Sequence, residues 1–60
     1  RIQRGRTVRV LYPDYVAGET GTVLEQETLN NGIQTGYWLV QLKGSDSVFA
    51  LSTCEMQVLD

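Results

Sequence analysis

The sequence predicts an all-β fold of five short strands in one domain that covers residues 1–60. Three observations support this prediction. Apolar side chains recur at every second position along most of the chain, which is the spacing of half-buried strands. Turn-forming residues separate these segments. The tetrapeptide STCE, from Ser52 to Glu55, fits the capping box of one short helical turn.

The first half of the chain contains two predicted strands. RTVRVLY is strand one, with Val8 and Val10 on one face and Thr7, Arg9 and Leu11 on the other. PDYVAGE is a loop that begins with a proline and ends near a glycine. TGTVLEQE is strand two, in which strict alternation places Val23 and Glu25 on the same side.

The second half supplies the other three strands. Asn30, Asn31 and Gly32 favour a hairpin turn that leads into strand three, YWLVQL, with Trp38 on its apolar face. SVFAL is strand four, and the chain closes with a short strand around Gln57–Leu59 after the helical turn. This order of elements predicts a small five-stranded SH3-like barrel, in which closure of the sheet would remove exposed edges.

The charges of the chain are unevenly distributed. The formal net charge is −2, yet four of the five basic residues lie in the first nine positions. These are Arg1, Arg4, Arg6 and Arg9. A cationic edge on an acidic body suits docking to one specific anionic surface better than general attraction to polyanions.

The composition argues against an enzyme. The chain has no histidine and one cysteine, so it lacks the residues for a zinc site or for a Cys/His or Ser/His/Asp nucleophile. Glu25 and Glu27 share a strand face, and without an apolar pocket they are interpreted as solvated rather than as a general acid and base. We expect a non-enzyme with no metal or cofactor, and we expect Cys54 to be a small, buried or half-buried apolar residue.

The stretch GETGTV, residues 18–23, has three interpretations. It lacks the Gly-Lys-Ser/Thr ending of a phosphate-binding loop, and no helical pattern follows it. As a corner between two strands it needs Gly18 and Gly21 for positive φ or for close approach of the backbone. Together with Gly5, Val8 and Val10 it also resembles the KOW motif of ribosomal proteins and elongation factors. The acid excess and a single lysine, Lys43, make nucleic acid an unfavoured partner.

A longer resemblance extends over nearly the whole chain. RGRTVRVLYPDYVAGETGTV is similar to the opening of the photosystem I reaction-centre subunit IV family (PsaE), with one residue missing after Asp14. NGIQTGYWLVQL and VFALSTCEMQVL resemble the middle and closing segments of that family. Members of the family are five-stranded SH3-like barrels, so the fold that the resemblance implies agrees with the fold that the periodicity predicts.

The resemblance implies a peripheral, cofactor-free subunit on the stromal or cytoplasmic side of the thylakoid membrane. Such a subunit would stabilise other photosystem I subunits and assist transient docking of ferredoxin, without inserting into the membrane. We assign the acidic contacts to Arg4, Arg6 and Arg9, because arginine makes bidentate bonds to carboxylates.

The sequence departs from the family at three places. The turn 43–47 is short where the family has a long loop, Val16 replaces a tryptophan, and Gln41 replaces a basic residue associated with ferredoxin docking. Two related barrels therefore remain as alternatives: the variable chain of ferredoxin-thioredoxin reductase and a small subunit of the plastid NADH-like dehydrogenase.

Overall fold

The computed structural model describes all residues 1–60 and contains five antiparallel strands in a single sheet. The strands are β1 (Thr7–Val10), β2 (Thr20–Thr28), β3 (Gln34–Leu42), β4 (Val48–Leu51) and β5 (Met56–Val58). Two 3-10 turns complete the chain, η1 (Asp14–Val16) and η2 (Thr53–Glu55). The predicted all-β class and the number of strands are confirmed. The turn η1 was not predicted.

The sheet has the strand order β4-β3-β2-β1-β5 and is not closed. The predicted small five-stranded barrel-like fold is confirmed, but the expected closing of the sheet is wrong, because β4 pairs only with β3 and β5 pairs only with β1. The two edge strands are nevertheless consecutive in the chain, joined by residues 52–55 alone. Such a short connection requires a strongly curled sheet, and the edges that remain are only four and three residues long.

One apolar cluster fills the concave side of the curled sheet. Val8 and Val10 are fully buried there, as the alternation in strand one predicts. Leu51 and Met56, at the two ends of the connection between the edge strands, are buried in the same cluster. The half-buried Trp38 packs against it from β3. The cluster comprises Val8, Val10, Val16, Val23, Val40, Leu42, Leu51 and Met56.

The β2–β3 hairpin is the longest element, with nine residues in each strand. Its register shifts between Val23 and Glu25, where Leu24 is an extra residue, so that Glu25 lies opposite Leu39 and not on the buried face with Val23. The predicted sharing of one face by Val23 and Glu25 is therefore wrong. A second shift lies beside Gly36, whose φ is +92°, and strand β3 begins three residues earlier than predicted.

The turns follow the sequence signals closely. The hairpin bends through Asn30 and Asn31, but only Gly32 has positive φ, at +84°. The capping box is present at η2, where the Ser52 N–H donates to Glu55 Oε1 at 2.8 Å. Cys54, in contrast to the prediction, is exposed, because this turn lies on the surface and directs its middle residue away from the core.

Candidate docking surface

The convex side of the sheet is solvent-exposed and polar, and we call it the outer face. Successive side chains of a strand point to opposite sides of the sheet, so the residues that alternate with the buried valines and leucines lie on this face. Cross-strand pairing places them in rows. The outer face comprises Thr7, Arg9, Thr20, Thr22, Glu25, Glu27, Tyr37, Leu39, Gln41, Lys43, Val48, Ala50 and Gln57.

Two cations lie at one end of the outer face. Arg9 is exposed on β1 and pairs with Thr20 of β2. The backbone N–H of Lys43 donates to the carbonyl oxygen of Thr20 at 2.9 Å. Arg9, Thr20 and Lys43 therefore form one row across three neighbouring segments. Since paired strands are about 4.8 Å apart, the Cα atoms of Arg9 and Lys43 are roughly 10 Å apart.

A shallow polar groove of about 560 Å³ lies beside this row. It includes the hydroxyl-bearing Thr7, Thr20 and Thr22 together with Gln41 and Lys43. The Gln41 side chain is held in place because its Nε2 donates to the Ser45 carbonyl oxygen at 2.7 Å. The hydroxyl and ammonium donors of the groove lining form a surface suited to carboxylates from another molecule, and the one carboxylate bonded to a lining residue, that of Asp60, accepts from the Thr7 backbone N–H at 3.2 Å.

The structure does not bring the three predicted arginines together. Arg9 alone lies on the outer face. Arg6 is half-buried, and its Nη1 donates to the Asp60 carbonyl oxygen at 2.8 Å, so it contacts the end of the chain. Arg4 is exposed beside a second depression of about 550 Å³, which it lines with Arg1, Glu25 and Trp38. The positive φ of Gly5, +87°, turns the backbone between Arg4 and Arg6 and separates their directions.

Two carboxylates of β2 lie further along the outer face. Glu25 is exposed, and Glu27 is half-buried, accepting a hydrogen bond from Thr35 Oγ1 at 2.8 Å. The pairs Leu39–Ala50 and Gln41–Val48 connect β3 to β4, and Glu25, which pairs with Leu39, lies in the first of these two rows. Tyr37 and Val48 remain exposed, at 44% and 47% of their surface.

Sequence reasoning missed Lys43 as a member of this surface. Its position two residues after Gln41 and four after Leu39 was the available signal, because alternation along strand three places all three side chains on one face. The clustering of lysine with Arg9 was not visible, since it depends on the pairing of β1, β2 and β3.

Comparison of the chain with protein-family models, with curated proteins and with solved structures found no match. The resemblance to photosystem I subunit IV therefore stays a prediction. No helix in the structure has the length and apolar composition needed to cross a membrane.

Proposed function

We propose that this chain is a small, non-catalytic docking subunit of the photosystem I subunit IV type. It binds to the stromal or cytoplasmic side of photosystem I, stabilises neighbouring subunits, and presents the cationic end of its outer face to an acidic electron carrier of the ferredoxin class. The observation that supports this proposal most is the row of Arg9 and Lys43 beside the hydroxyl-lined groove.

The position of Lys43 bears on the main departure from the family pattern. Gln41 stands where the family has a basic residue in strand three. Lys43 lies on the same face two residues later, so a cation is still available close to that position. Lys43 lies across Thr20 from Arg9, so this end of the face carries two positive charges although Gln41 is uncharged.

The charge pattern favours an acidic protein over a nucleic acid as the partner. Glu25 and Glu27 lie on the same outer face as Arg9 and Lys43. A polyanionic strand that followed the sheet would bring its phosphates against these carboxylates, and repulsion would oppose the contact. A compact protein with a local acidic patch can contact the cationic end without approaching these carboxylates.

The proposal is tested with the double variant Arg9→Glu/Lys43→Glu. We expect binding of purified ferredoxin, measured by calorimetry at low salt, to weaken at least about tenfold, because like charges replace attractive pairs at the contact. Added salt should weaken binding of the wild-type chain in the same direction. A second assay measures incorporation of the wild-type chain into photosystem I particles depleted of subunit IV.

The matched control is Arg1→Glu/Arg4→Glu, which makes the same change of net charge at the depression beside Trp38, where neither residue belongs to the row of Arg9 and Lys43 or to its groove. It should retain most of the ferredoxin affinity, whereas an equal loss in both variants would mean that only net charge matters and would remove the assignment to Arg9 and Lys43. Failure of the wild-type chain both to bind ferredoxin and to join depleted photosystem I would overturn the proposed function.

A further inference from the structure

Strand β4 forms one free edge of the sheet. It pairs with β3 alone, so the other side of its backbone has no neighbouring strand. Where β3 and β4 begin to pair, the Leu42 N–H donates to the Ser47 carbonyl oxygen at 3.0 Å. Because backbone groups alternate in direction along a strand, this hydrogen bond determines which residues of β4 face β3 and which face the open edge.

Val48 and Ala50 present their backbone groups at the open edge. Phe49 lies two residues after Ser47 and Leu51 four residues after it, so both belong to pairs that exchange hydrogen bonds with β3. Val48 and Ala50 belong to the alternate pairs, whose N–H and C=O groups point away from β3. No other segment of the chain forms a backbone hydrogen bond with either residue. The edge therefore has donors and acceptors without partners at two alternate positions.

The sequence of β4, VFAL, lacks the features that keep edge strands from pairing. Natural edge strands often carry a lysine, a proline or a bulge that obstructs a further strand. β4 has no charged residue and no proline, and its register with β3 is regular. Val48 is exposed over 47% of its surface, and Ala50 is exposed as well. At the opposite edge, β5 is one residue shorter and carries the exposed, polar Gln57. β4 is therefore the edge that is more open to a further strand.

This edge is complementary to itself under a two-fold rotation about an axis perpendicular to the sheet. Such a rotation sets two β4 strands antiparallel. With Phe49 opposite Phe49, Val48 of each copy lies opposite Ala50 of the other. Both residues have free backbone groups, so each of these pairs exchanges two N–H···O bonds. On the outer face, the larger side chain of Val48 meets the smaller one of Ala50, and the half-buried Leu39 extends this apolar row into β3.

An aromatic contact lies on the inner side of the same edge. Phe49 is half-buried, and its ring centroid is 6.1 Å from that of Tyr15. Tyr15 is 75% exposed, so this aromatic pair is only partly covered within one chain. In the antiparallel arrangement the two Phe49 residues face each other in a pair without backbone hydrogen bonds, whose Cα atoms are about 4.5 Å apart. Aromatic pairs at this separation stabilise neighbouring strands.

We propose that a second copy of this chain pairs with the free edge of β4, antiparallel and centred on Phe49, so that two five-stranded sheets join into one. A second copy fits this edge because the same two residues, Val48 and Ala50, supply both the donors and the acceptors of an isologous contact. The inference goes beyond the proposed function and uses neither Arg9 nor Lys43.

The length of β4 limits how tight this dimer is. A standard protein interface covers about 800 Å² on each partner. A strand of four residues covers much less, even with the aromatic contact beneath it. We therefore expect a reversible dimer that forms at high concentration and dissociates on dilution.

The test combines sedimentation equilibrium of the purified chain alone, up to millimolar concentration, with amide hydrogen exchange followed by NMR. The mass is expected to rise from that of the 6.7 kDa monomer toward twice that value. Exchange of the Val48 and Ala50 amides is expected to slow at least about threefold between the dilute and the concentrated sample, because the dimer gives them acceptors. The Phe49 amide faces β3 and should exchange slowly in both samples.

Two variants close the edge in different ways. Ala50→Pro removes an outward N–H that β3 does not use, and Val48→Lys places a charge on the edge. Each should weaken dimerisation at least about tenfold. The matched control Gln57→Lys adds the same charge to the opposite edge strand and should dimerise like the wild type. Thermal unfolding followed by circular dichroism confirms that each variant is folded.

Three results would overturn the proposal. The first is a monomer at every concentration, and the second is a dimer in which the Val48 and Ala50 amides exchange as fast as in the dilute sample. The third is equal weakening by Gln57→Lys, which would attribute the effect to net charge. None of these results affects the ferredoxin measurement, which uses a dilute chain and variants of Arg9 and Lys43.

Discussion

At the scale of single residues, Gly21 shows how tightly β2 and β3 approach each other. It is buried, and a Cβ built at this position would lie 2.5 Å from the Gln41 carbonyl oxygen and 2.8 Å from Val40 Cγ1. Neither neighbour can move easily, because both belong to the paired region of β3. The glycine of GETGTV thus serves close contact between strands, one of the two roles that its sequence context predicts.

Gly21→Ala should therefore destabilise the chain by about 1–3 kcal/mol, because the added methyl group has no space beside the backbone of β3. Urea unfolding followed by tryptophan fluorescence measures the change, with Trp38 as the reporter. The control Thr22→Ala, on the exposed outer face, should change the free energy of unfolding by no more than about 0.5 kcal/mol. Equal stability of the Gly21→Ala variant and the wild type would contradict this account of the contact.

Residue by residue, the sequence predicted burial better than it predicted the roles of charged side chains. Val8 and Val10 follow from alternation, which local spacing determines. The position of Arg6 does not follow, because its contact with Asp60 joins residues 54 positions apart in the chain. The different positions of Arg9, on the outer face, and Arg6, against Asp60, could be predicted only from the segments that pair with β1.

At the scale of elements, the connection between β4 and β5 illustrates a local signal that specifies a local structure. The STCE pattern predicts a capped turn, and η2 contains the expected contact between the Ser52 N–H and the Glu55 carboxylate. The Glu55 backbone carbonyl also accepts hydrogen bonds from the N–H groups of Leu11 and Tyr12, at 2.8 and 3.3 Å. These hydrogen bonds hold η2 against the residues that directly follow β1.

Replacing Glu55 by alanine should lower the free energy of unfolding by about 1 kcal/mol, because the Ser52 N–H loses its acceptor. Glu55→Gln retains an acceptor oxygen at the same place and should keep most of the stability. The two variants are compared by urea unfolding. If glutamine were as destabilising as alanine, the hydrogen bond would not be the source of the effect.

The β2–β3 hairpin shows where sequence patterns stop being sufficient. Its turn at Gly32 was predictable from residue types, but the extra residue at Leu24 was not, because Leu24 fits a regular strand as well as a bulge. One unpaired residue moved Glu25 from the predicted side to the outer face. Alternation alone therefore could not place the Glu25 carboxylate, which pairs with Leu39.

At the scale of the whole molecule, the period-two spacing of apolar residues predicted the all-β class. It did not predict that the sheet stays open or that Arg9 and Lys43 lie in one row. Closure depends on how far β4 and β5 extend, and both strands end after three or four residues. The surface distribution of charge depends on the strand order β4-β3-β2-β1-β5. The spacing of apolar residues along the sequence predicts neither the lengths of the edge strands nor the strand order. The row of Arg9 and Lys43, on which the proposed docking depends, follows from this strand order.

The pairing of β1 with β5 determines whether the two ends of the sequence can be joined and the chain opened elsewhere. The N–H of Thr7 contacts the Asp60 carboxylate at 3.2 Å, so the first strand and the final residue are neighbours in space. A linker from residue 60 to residue 1 therefore has to cover only the distance that residues 1–6 span, which is a condition that favours circular permutation.

A permuted chain that starts at Asn31 and ends at Asn30, with a short glycine-serine linker after Asp60, should fold and unfold cooperatively, because the break falls at the exposed tip of the hairpin. Circular dichroism during thermal unfolding measures this, and absence of a cooperative transition would show that continuity at the hairpin tip is essential. Success would mean that the architecture is specified by which strands are neighbours, and not by where the polypeptide begins.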